Sequence, residues 1–307
     1  MPRIGSDHTF ITACAKSRRE IEPPPAPVPR GRRSSSTLPQ VSWDQIIELI
    51  AIGLVGGTLG GMLGIGGSII MIPALALVLG PNQHLYQAAA MIVNIFVAVP
   101  ATFHHARSGA IRMDVFKWML PFGLVFILIG VWLSDQLDAR ALQQIFGVFL
   151  LYIIGFNVVR LIKRRPEPEL GEQRAGPAAS GSIGSIMGFL AGLLGIGGGG
   201  IAVPLLQRIA NLPLRQCIGT SSAVMCLTAL IGAIGKNWTL ARHPNEQLPN
   251  QMLHVTDSLL VAGCLAPTAL IGGYLGAHLT HRLPLFWVRL AFTLLMMVAC
   301  ARMFGLI

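Results

Sequence analysis

The sequence predicts an all-α, polytopic transmembrane helical bundle, built from two tandem homologous repeats with broken or re-entrant helices at glycine-rich hinges. Its 307 residues are 53% hydrophobic and 12% charged, whereas about a quarter of the residues of a soluble domain are charged. No acidic residue lies between Glu48 and Asp114, a stretch long enough for two or three crossings of about 20 residues each. A glycine-rich motif also occurs twice at matching positions.

Residues 1–42 differ from the rest of the chain. They combine seven Lys and Arg residues with serines and a proline-rich run at 23–29, and such a composition cannot bury enough apolar surface to fold alone. We therefore predict a disordered, basic, proline-rich tail. No central apolar stretch precedes Trp43, so a cleaved signal peptide is not expected and the first apolar segment is interpreted as a membrane helix.

Beyond the tail, the chain divides into two transmembrane repeats, at 43–165 and 182–307, joined by a polar linker at 166–181. Each repeat contains five apolar runs, and the second run is the shortest in both. The predicted runs are 45–63, 68–80, 86–103, 115–134 and 141–162 in the first repeat, and 182–196, 200–210, 217–235, 255–278 and 285–305 in the second.

The duplication is visible in the residues themselves. The motif LGIGG at 63–67 recurs at 194–198, an offset of 131, and a proline follows each copy at the same offset, as Pro73 and Pro204. The flanking glycines keep the offset too, namely Gly53, Gly57 and Gly61 in the first copy and Gly184, Gly188 and Gly192 in the second. Small residues at four-residue spacing let helix backbones approach closely, so we interpret these two ladders as packing faces.

Lys and Arg are enriched in cytoplasmic loops, which suggests an orientation. In a trial scheme in which each half crosses four times and both termini are cytoplasmic, 18 of the 23 basic residues lie inside, including Lys236 and Arg242. Without the tail the bias is 11 against 5. Alternatively, the short run after each motif forms a hairpin with its predecessor. Each half then crosses an odd number of times, and the repeats are inverted.

The glycines of the motif are too dense for a packing face alone. They are predicted to break the helix, and the helix N-termini after such breaks offer free N–H groups and a positive dipole end to an anion. Paired breaks in two halves are a sequence pointer to a transporter's binding site; packing or hinge motion is the alternative. The candidate residues are Gly64, Gly66, Gly67 and Ser68 in the first copy, and Gly195, Gly197, Gly198 and Gly199 in the second.

The run at 195–200 also satisfies the dinucleotide pattern GxGxxG. A dinucleotide site requires a preceding strand and an acidic residue about 20 positions on. Here the next acidic residue is Glu246 and the surroundings are membrane-like, so we reject a nucleotide cofactor. No Cys or His spacing suits a metal site.

Polar residues in the following segment are candidates to complete an oxyanion shell. Asn94, Thr220 and Ser221 carry N–H or O–H donors, although Ser and Thr hydroxyls also satisfy their own helix backbone. His105 and Lys236 correspond at the offset of 131. They either attract anions at a cytoplasmic mouth or are ordinary interfacial cations.

A repeated LGIGG motif followed by an apolar run and a proline resembles the sulfite exporter TauE/SafE family, over about 44–305. The resemblance implies a multi-pass permease in the bacterial inner membrane, linked to sulfite or organosulfonates such as sulfoacetate. It also implies that Gly64, Gly66, Gly67, Gly195, Gly197 and Gly198 are signature positions. The first copy departs from the second, with Ser68 and Ile69 opposite Gly199 and Gly200, and the basic tail lies outside the pattern.

These observations together predict a permease that exports small anions, sulfite or organosulfonates in particular, driven by the membrane potential. An acidic proton relay is absent from the spans, and export of one negative charge releases about 2.3 kcal/mol per 100 mV. The alternatives are a permease for another sulfur-containing or inorganic anion, or a non-transporting membrane scaffold that uses the tail. An enzyme is not expected, since neither paired carboxylates nor a His/Cys set lies at membrane depth. The predicted partners are the anion and membrane lipid, not nucleic acid.

Overall fold

The computed structural model of the chain describes residues 43–63, 66–163, 176–247, 251–279 and 285–305. The predicted tail at 1–42 and most of the polar linker lie outside these ranges. Within them the chain forms ten helices and no strand ladder. The helices are α1 (Trp43–Leu63), α2 (Ser68–Val78), α3 (Gln83–Arg107), α4 (Met113–Gln136), α5 (Ala139–Lys163), α6 (Pro177–Leu194), α7 (Gly199–Ile209), α8 (Leu214–Leu240), α9 (Val255–Leu279) and α10 (Leu285–Met303).

Seven of these helices are long and apolar enough to cross a membrane: α1, α3, α4, α5, α6, α8 and α9. The prediction of a polytopic all-α membrane protein is therefore confirmed, and each predicted apolar run coincides with one helix. Several helices begin before the predicted runs, and the largest difference between starts is at α6, which begins at Pro177 rather than at 182. Proline suits the first helical position, where its missing N–H would have no partner.

The two short helices, α2 and α7, have 11 residues each and extend only about 16 Å, half the apolar thickness of a bilayer. Each lies antiparallel to its predecessor. A Cβ on Gly60 would lie 2.6 Å from the Gly67 nitrogen, and one on Gly56 would lie 2.8 Å from the side chain of Met71. In the second half, Gly198 approaches the Met187 side chain of α6 in the same way. Each pair therefore forms a helical hairpin.

The two glycine ladders do pack backbone against backbone, as predicted. A Cβ on Gly57 of α1 would lie 2.3 Å from the carbonyl oxygen of Ala269 in α9. A Cβ on Gly188 of α6 would lie 2.3 Å from the carbonyl oxygen of Gly123 in α4. Glycines further along α1 contact residues further along α9, and the same holds for α6 and α4. Helix α1 therefore runs parallel to α9, and α6 runs parallel to α4.

Helices α3 and α8 occupy equivalent places in the two halves and run antiparallel through the middle of the bundle. Gln87, near the start of α3, contacts Lys236, near the end of α8. Further along, Met91 of α3 packs on Gly232 of α8, and Ala110 just beyond α3 contacts Gly219 near the start of α8.

The connections gather at two ends of the bundle. At one end, which we name the terminal end, Arg242 after α8 bonds to Asp135 of α4, and Glu246 bonds to Asn82 before α3. A surface pocket between Pro81, Gln143 and Arg302 places the end of α10 there as well. Because α1 runs parallel to α9, the start of α1 lies at this end too. At the opposite end, the Arg112 amide before α4 bonds to the Thr220 hydroxyl of α8.

This arrangement corrects the trial scheme of four crossings per half. Lys236 and Arg242 were grouped with one end and Arg140 with the other, but all three lie towards the terminal end. Each half contains a hairpin followed by three further helices, an arrangement that fits the alternative with an odd number of crossings. Outside the tail, more basic residues of the described connections then lie at the opposite end than at the terminal end. Those at the opposite end are Arg107, Arg112, Lys117, Arg208 and Arg215, and those at the terminal end are Arg140, Arg242 and Arg302. The cytoplasmic placement of the termini therefore keeps only the tail's basic residues as support.

Candidate functional site

Both glycine motifs contain left-handed backbone. The φ angle is +78° at Gly66 in the first motif and +73°, +68° and +89° at Gly195, Gly197 and Gly198 in the second. A residue with a Cβ loses about 1–2 kcal/mol in this conformation, so glycine is the natural residue there. The two motifs also meet, because the Ser68 hydroxyl donates a hydrogen bond of 3.0 Å to the carbonyl oxygen of Ile196.

Asn94 lies where the motifs meet. It is near the middle of α3 and only 1% exposed. A Cβ on Gly197 would lie 2.7 Å from the Asn94 Nδ2 atom, and one on Gly66 would lie 3.6 Å from its Oδ1 atom. Neither carboxamide atom of Asn94 has a hydrogen-bond partner in the structure. Since buried polar groups are nearly always paired, this amide is available to a ligand.

Two helix N-termini converge on the same place. Helix α2 begins after Gly67 and α7 after Gly198, and neither has a side-chain cap. A helix N-terminus carries free N–H groups and about half a positive charge. Together with the Nδ2–H groups of Asn94, these termini form an environment rich in hydrogen-bond donors, which suits an anion.

The residue equivalent to Asn94 in the second half is Met225, at the offset of 131. Its sulfur would lie 3.2 Å from a Cβ on Gly197 and 3.6 Å from one on Gly66, so both side chains border both motifs. The site therefore has one polar and one apolar wall.

The other predicted residues lie around this centre. Gly64 is outside the described residues. Gly195 lies against Gln87, which is about two turns of α3 from Asn94. Gly199 is the buried first residue of α7. Gly67 accepts hydrogen bonds from the amides of Ile70 and Met71.

The two hydroxyls predicted on α8 contact protein backbone. The Thr220 Oγ1 atom accepts a hydrogen bond of 3.0 Å from the Arg112 amide at the opposite end of the bundle. The Ser221 hydroxyl donates to the carbonyl oxygen of Ile218 in its own helix, at 3.1 Å. The Ser221 contact is the bond to its own helix that was considered as the alternative to an oxyanion shell, whereas the Thr220 contact comes from another segment. Their part in substrate binding stays a prediction.

Sequence reasoning did not identify Gln83 and Gln87 of α3. It placed Lys236 of α8 near a membrane surface, either attracting anions at a cytoplasmic mouth or as an ordinary interfacial cation. All three are at least 96% buried. The spacing of Gln83, Gln87 and Asn94 at i, i+4 and i+11 places them on one helix face, and this spacing was available in the sequence.

Among the residues that the structure describes, no cluster of three or more His, Cys, Asp or Glu side chains is arranged to hold a metal ion. The charged pairs of the bundle lie at its two ends, where Arg112 bonds to Asp114 and Asp135 bonds to Arg242 and His243. At the opposite end, the Arg112 guanidinium donates hydrogen bonds to the Asp114 carboxylate. These bonds raise the pKa of Arg112 above its usual value, because the carboxylate stabilises the guanidinium charge.

Several curated relatives match the chain. A probable membrane transporter protein YunE from Bacillus subtilis is 25% identical over 77% of this chain and 89% of its own length. One from Haemophilus influenzae is 24% identical over 84% of this chain and 98% of its own length. The probable membrane transporter protein MamO from Paramagnetospirillum magneticum is 22% identical over 78% of this chain, and the chain spans about two fifths of MamO's length.

No solved structure matches the chain. The sulfite exporter TauE/SafE family matches residues 49–303, which include both glycine motifs and all the long helices apart from the first six residues of α1. The family resemblance that the motifs predicted is therefore confirmed: this chain belongs to the sulfite exporter TauE/SafE family of membrane transporters.

Proposed function

We propose that this protein is a permease that exports small anions, sulfite or organosulfonates in particular, through a site between Gly66, Gly197 and Asn94. The observation that carries the proposal is the buried carboxamide of Asn94, whose two polar atoms have no partner although they lie beside two uncapped helix N-termini. An oxyanion placed there would accept hydrogen bonds from the Asn94 amide and from the backbone N–H groups at the two uncapped helix N-termini.

The substrate class follows from the donors. Sulfite and sulfonates present several oxygens around one sulfur, and these can accept hydrogen bonds from two opposed helix ends at once. The name of the family supports sulfite, whereas the relatives are described only as probable membrane transporters. Transport of another sulfur-containing or inorganic anion by the same mechanism is therefore the alternative.

We further propose that the two halves are inverted repeats. The helix bounds support this, because α2 and α7 begin and end exactly 131 residues apart, and α3 and α8 begin at the same offset. Equivalent helices α3 and α8 run antiparallel, which a two-fold axis in the membrane plane produces. Rocking of one hairpin against the other, with the glycine breaks as flexible points, would expose the central site to each side in turn.

Export by the membrane potential needs no coupling ion, because the inside-negative potential drives a negative charge outward by about 2.3 kcal/mol per 100 mV. The side chains around the central site, Asn94, Ser68 and Met225, carry no carboxylate for a proton relay. We therefore expect electrogenic transport. A requirement for a proton gradient at constant membrane potential would contradict it.

The family supports a bacterial inner membrane as the location. Cytoplasmic termini stay part of the proposal and are supported by the seven basic residues of the tail. Labelling of a cysteine placed after Trp43 in intact cells and in inverted vesicles decides this, because only one of the two preparations will be labelled from outside.

The experiment for the central site measures charge movement in liposomes that contain the purified protein, with sulfite, sulfoacetate, taurine, sulfate and chloride in turn. The variant Asn94→Leu removes both polar atoms and keeps the volume similar. Its matched control, Met225→Leu, changes the equivalent residue on the apolar wall. We expect a current with sulfite or a sulfonate that falls at least tenfold in Asn94→Leu and less than threefold in Met225→Leu, since hydrogen bonds to a charged group contribute about 1.5–3 kcal/mol each.

An equal loss in both variants would contradict the assignment of Asn94 as a ligand. Silence of the folded, inserted wild type with all five compounds would count against electrogenic export of these anions, and would favour first an electroneutral substrate and then the scaffold. In a scaffold, deletion of residues 1–42 should abolish partner binding, whereas in a permease it should leave the current unchanged.

A further inference from the structure

Lys236 lies inside the bundle, near the terminal end of α8. It is 4% exposed, and its ammonium nitrogen donates hydrogen bonds to the Gln87 Oε1 atom and the Ser134 hydroxyl. Both partners are neutral. No ion pair involves Lys236 within the part of the chain that the structure describes.

A cation in this position is costly, and intramembrane Lys residues usually face the bundle interior and mark a substrate or ion pathway. Lys236 does face the interior, because its partners come from α3 and α4 rather than from a lipid-facing surface. A lysine that served only as a membrane anchor would extend towards the bilayer surface, and Lys236 does not.

Gln87 connects Lys236 to the second glycine motif. Its Oε1 atom accepts from Lys236 and, at 3.3 Å, from the Ser134 hydroxyl, so the acceptor side of the amide is fully used. Its Nε2 donor has no partner in the structure. Its backbone and Cβ lie within 3 Å of where a Cβ on Gly195 would be.

The unpartnered amides form a row on α3. Gln83, Gln87 and Asn94 are each at least 99% buried and each has a side-chain donor without a partner. Positions four and seven residues apart lie on one helix face, and Gln87 and Asn94 are about 10 Å apart along the axis. The row thus leads from the terminal end, past Lys236, to the central site.

We propose that Lys236 and Gln87 form a second anion-binding site, through which the anion passes between the terminal end and Asn94. In this site the anion would accept hydrogen bonds from the Lys236 nitrogen and the Gln87 Nε2 atom, and the lysine charge would compensate that of the anion. The inference rests on the proposed permease function and names a further binding residue for the same substrate, a sulfur oxyanion or a similar inorganic anion.

Lys236 forms no ion pair with a carboxylate in the described part of the chain, although the Asp135 carboxylate, one residue beyond Ser134, interacts with its charge electrostatically. A permanent carboxylate beside Lys236 would occupy the position of the anion and neutralise its attraction. The charged residues at the terminal end show the contrast, because Arg242 and His243 there both pair with Asp135, outside the row of amides.

The test compares the concentration dependence of the current in liposomes for the wild type and four variants, with sulfoacetate and sulfite as probes. Lys236→Met removes the charge and keeps the length, Lys236→Arg keeps the charge, and Lys117→Met makes the same change at an exposed position of α4. Gln87→Glu places a carboxylate next to Lys236, where an ion pair supports the folded protein but competes with the anion.

We expect Lys236→Met and Gln87→Glu to raise the KM at least tenfold for either probe, and Lys236→Arg to recover part of the loss. Lys117→Met should behave as the wild type. The Tm of Gln87→Glu in detergent should equal or exceed that of the wild type. A merely structural lysine would not give this combination of a higher KM with an undiminished Tm.

A wild-type KM in Gln87→Glu, or in a folded Lys236→Met, would overturn the second site and leave the permease intact. If Lys236→Met does not fold, Gln87→Glu alone decides. Silence of the wild type with both probes would overturn the permease and this inference with it, so the two failures are distinguished by the wild-type current.

Discussion

The two halves of the molecule share a backbone plan but differ at its centre. Both contain a helical hairpin with left-handed glycine between a long and a short helix, and both hairpins meet at α3 and α8. Yet the first half contributes Asn94 to the meeting point, and the second contributes Met225. Both halves thus contribute a helix N-terminus to this place, whereas the polar side chain that borders both motifs, Asn94, comes from the first half.

The halves also differ at their ends. The connection between α3 and α4 covers 108–112, whereas that between α8 and α9 covers 241–254. The longer connection lies across the terminal end, where its Glu246 amide bonds to Asn82 and its His243 ring bonds to Asp135 and stacks on His84. Among the described residues, the terminal end thus has more contacts between its connections than the opposite end. The comparison predicts unequal consequences of equal substitutions.

The largest effect is expected where the halves are alike. Leucine at Gly57 or at Gly188 would force apart α1 and α9, or α6 and α4, because in each case even a Cβ would lie 2.3 Å from a backbone oxygen. We expect neither variant to give folded protein. Gly155→Leu is the control, since no atom lies within 4 Å of a Cβ there. Size-exclusion profiles in detergent measure the yield of folded protein, and a well-folded Gly57→Leu or Gly188→Leu variant would contradict the packing.

The second-largest effect should differ between the two glycine motifs. Alanine at Gly66 or at Gly197 meets the same left-handed backbone, which costs about 1–2 kcal/mol. At Gly197, however, the Cβ would also lie 2.7 Å from the Asn94 Nδ2 atom, against 3.6 Å to the nearest atom at Gly66. We expect Gly197→Ala to lower the anion current at least tenfold and Gly66→Ala to lower mainly the Tm. The opposite order would place the substrate nearer the first motif.

The sequence predicted the helices and motifs well because apolar runs and glycine clusters determine them locally. Each of the ten runs became a helix, and the Gly57 and Gly188 ladders became packing faces. The prediction could not place Lys236, because a lysine near the end of an apolar run has the same sequence pattern whether it faces lipid headgroups or Gln87. Only the antiparallel packing of α8 on α3 distinguishes these positions.

The same reason explains the incorrect grouping of charges. Hydropathy shows which segments are apolar, but a hairpin of α1 and α2 and a single broken crossing have equal hydropathy. The direction of α2 depends on the close approach of Gly60 to Gly67, a contact that depends on the three-dimensional fold. Likewise, Thr220 and Asn94 are both polar residues inside helices, and only the loop at Arg112 shows that one of them has a backbone partner.

A smaller effect compares the ion pairs at the two ends. The Asp135 side chain is 6% exposed and bonds to both Arg242 and His243, whereas Asp114 is 51% exposed and bonds to Arg112. Removing a charge from a buried network costs more than removing one from an exposed pair, which contributes about 0–1 kcal/mol. We therefore expect Asp135→Asn to lower the stability by about 1–3 kcal/mol and Asp114→Asn by less than 1 kcal/mol. Denaturation in mixed micelles measures both, and equal losses would mean that the longer connection does not hold the terminal end closed.

The smallest effect concerns the side-chain hydrogen bond that joins the described residues of the two motifs. The Ser68 hydroxyl donates to the carbonyl oxygen of Ile196, and the equivalent position in the second half is Gly199, which has no side chain to return the bond. Ser68→Ala should therefore lower the stability by about 1 kcal/mol, the usual contribution of one neutral hydrogen bond, and should leave the KM unchanged. A large rise in KM with an unchanged Tm would show instead that the hydroxyl binds the anion, which would make the first motif, and not Asn94 alone, a source of side-chain donors.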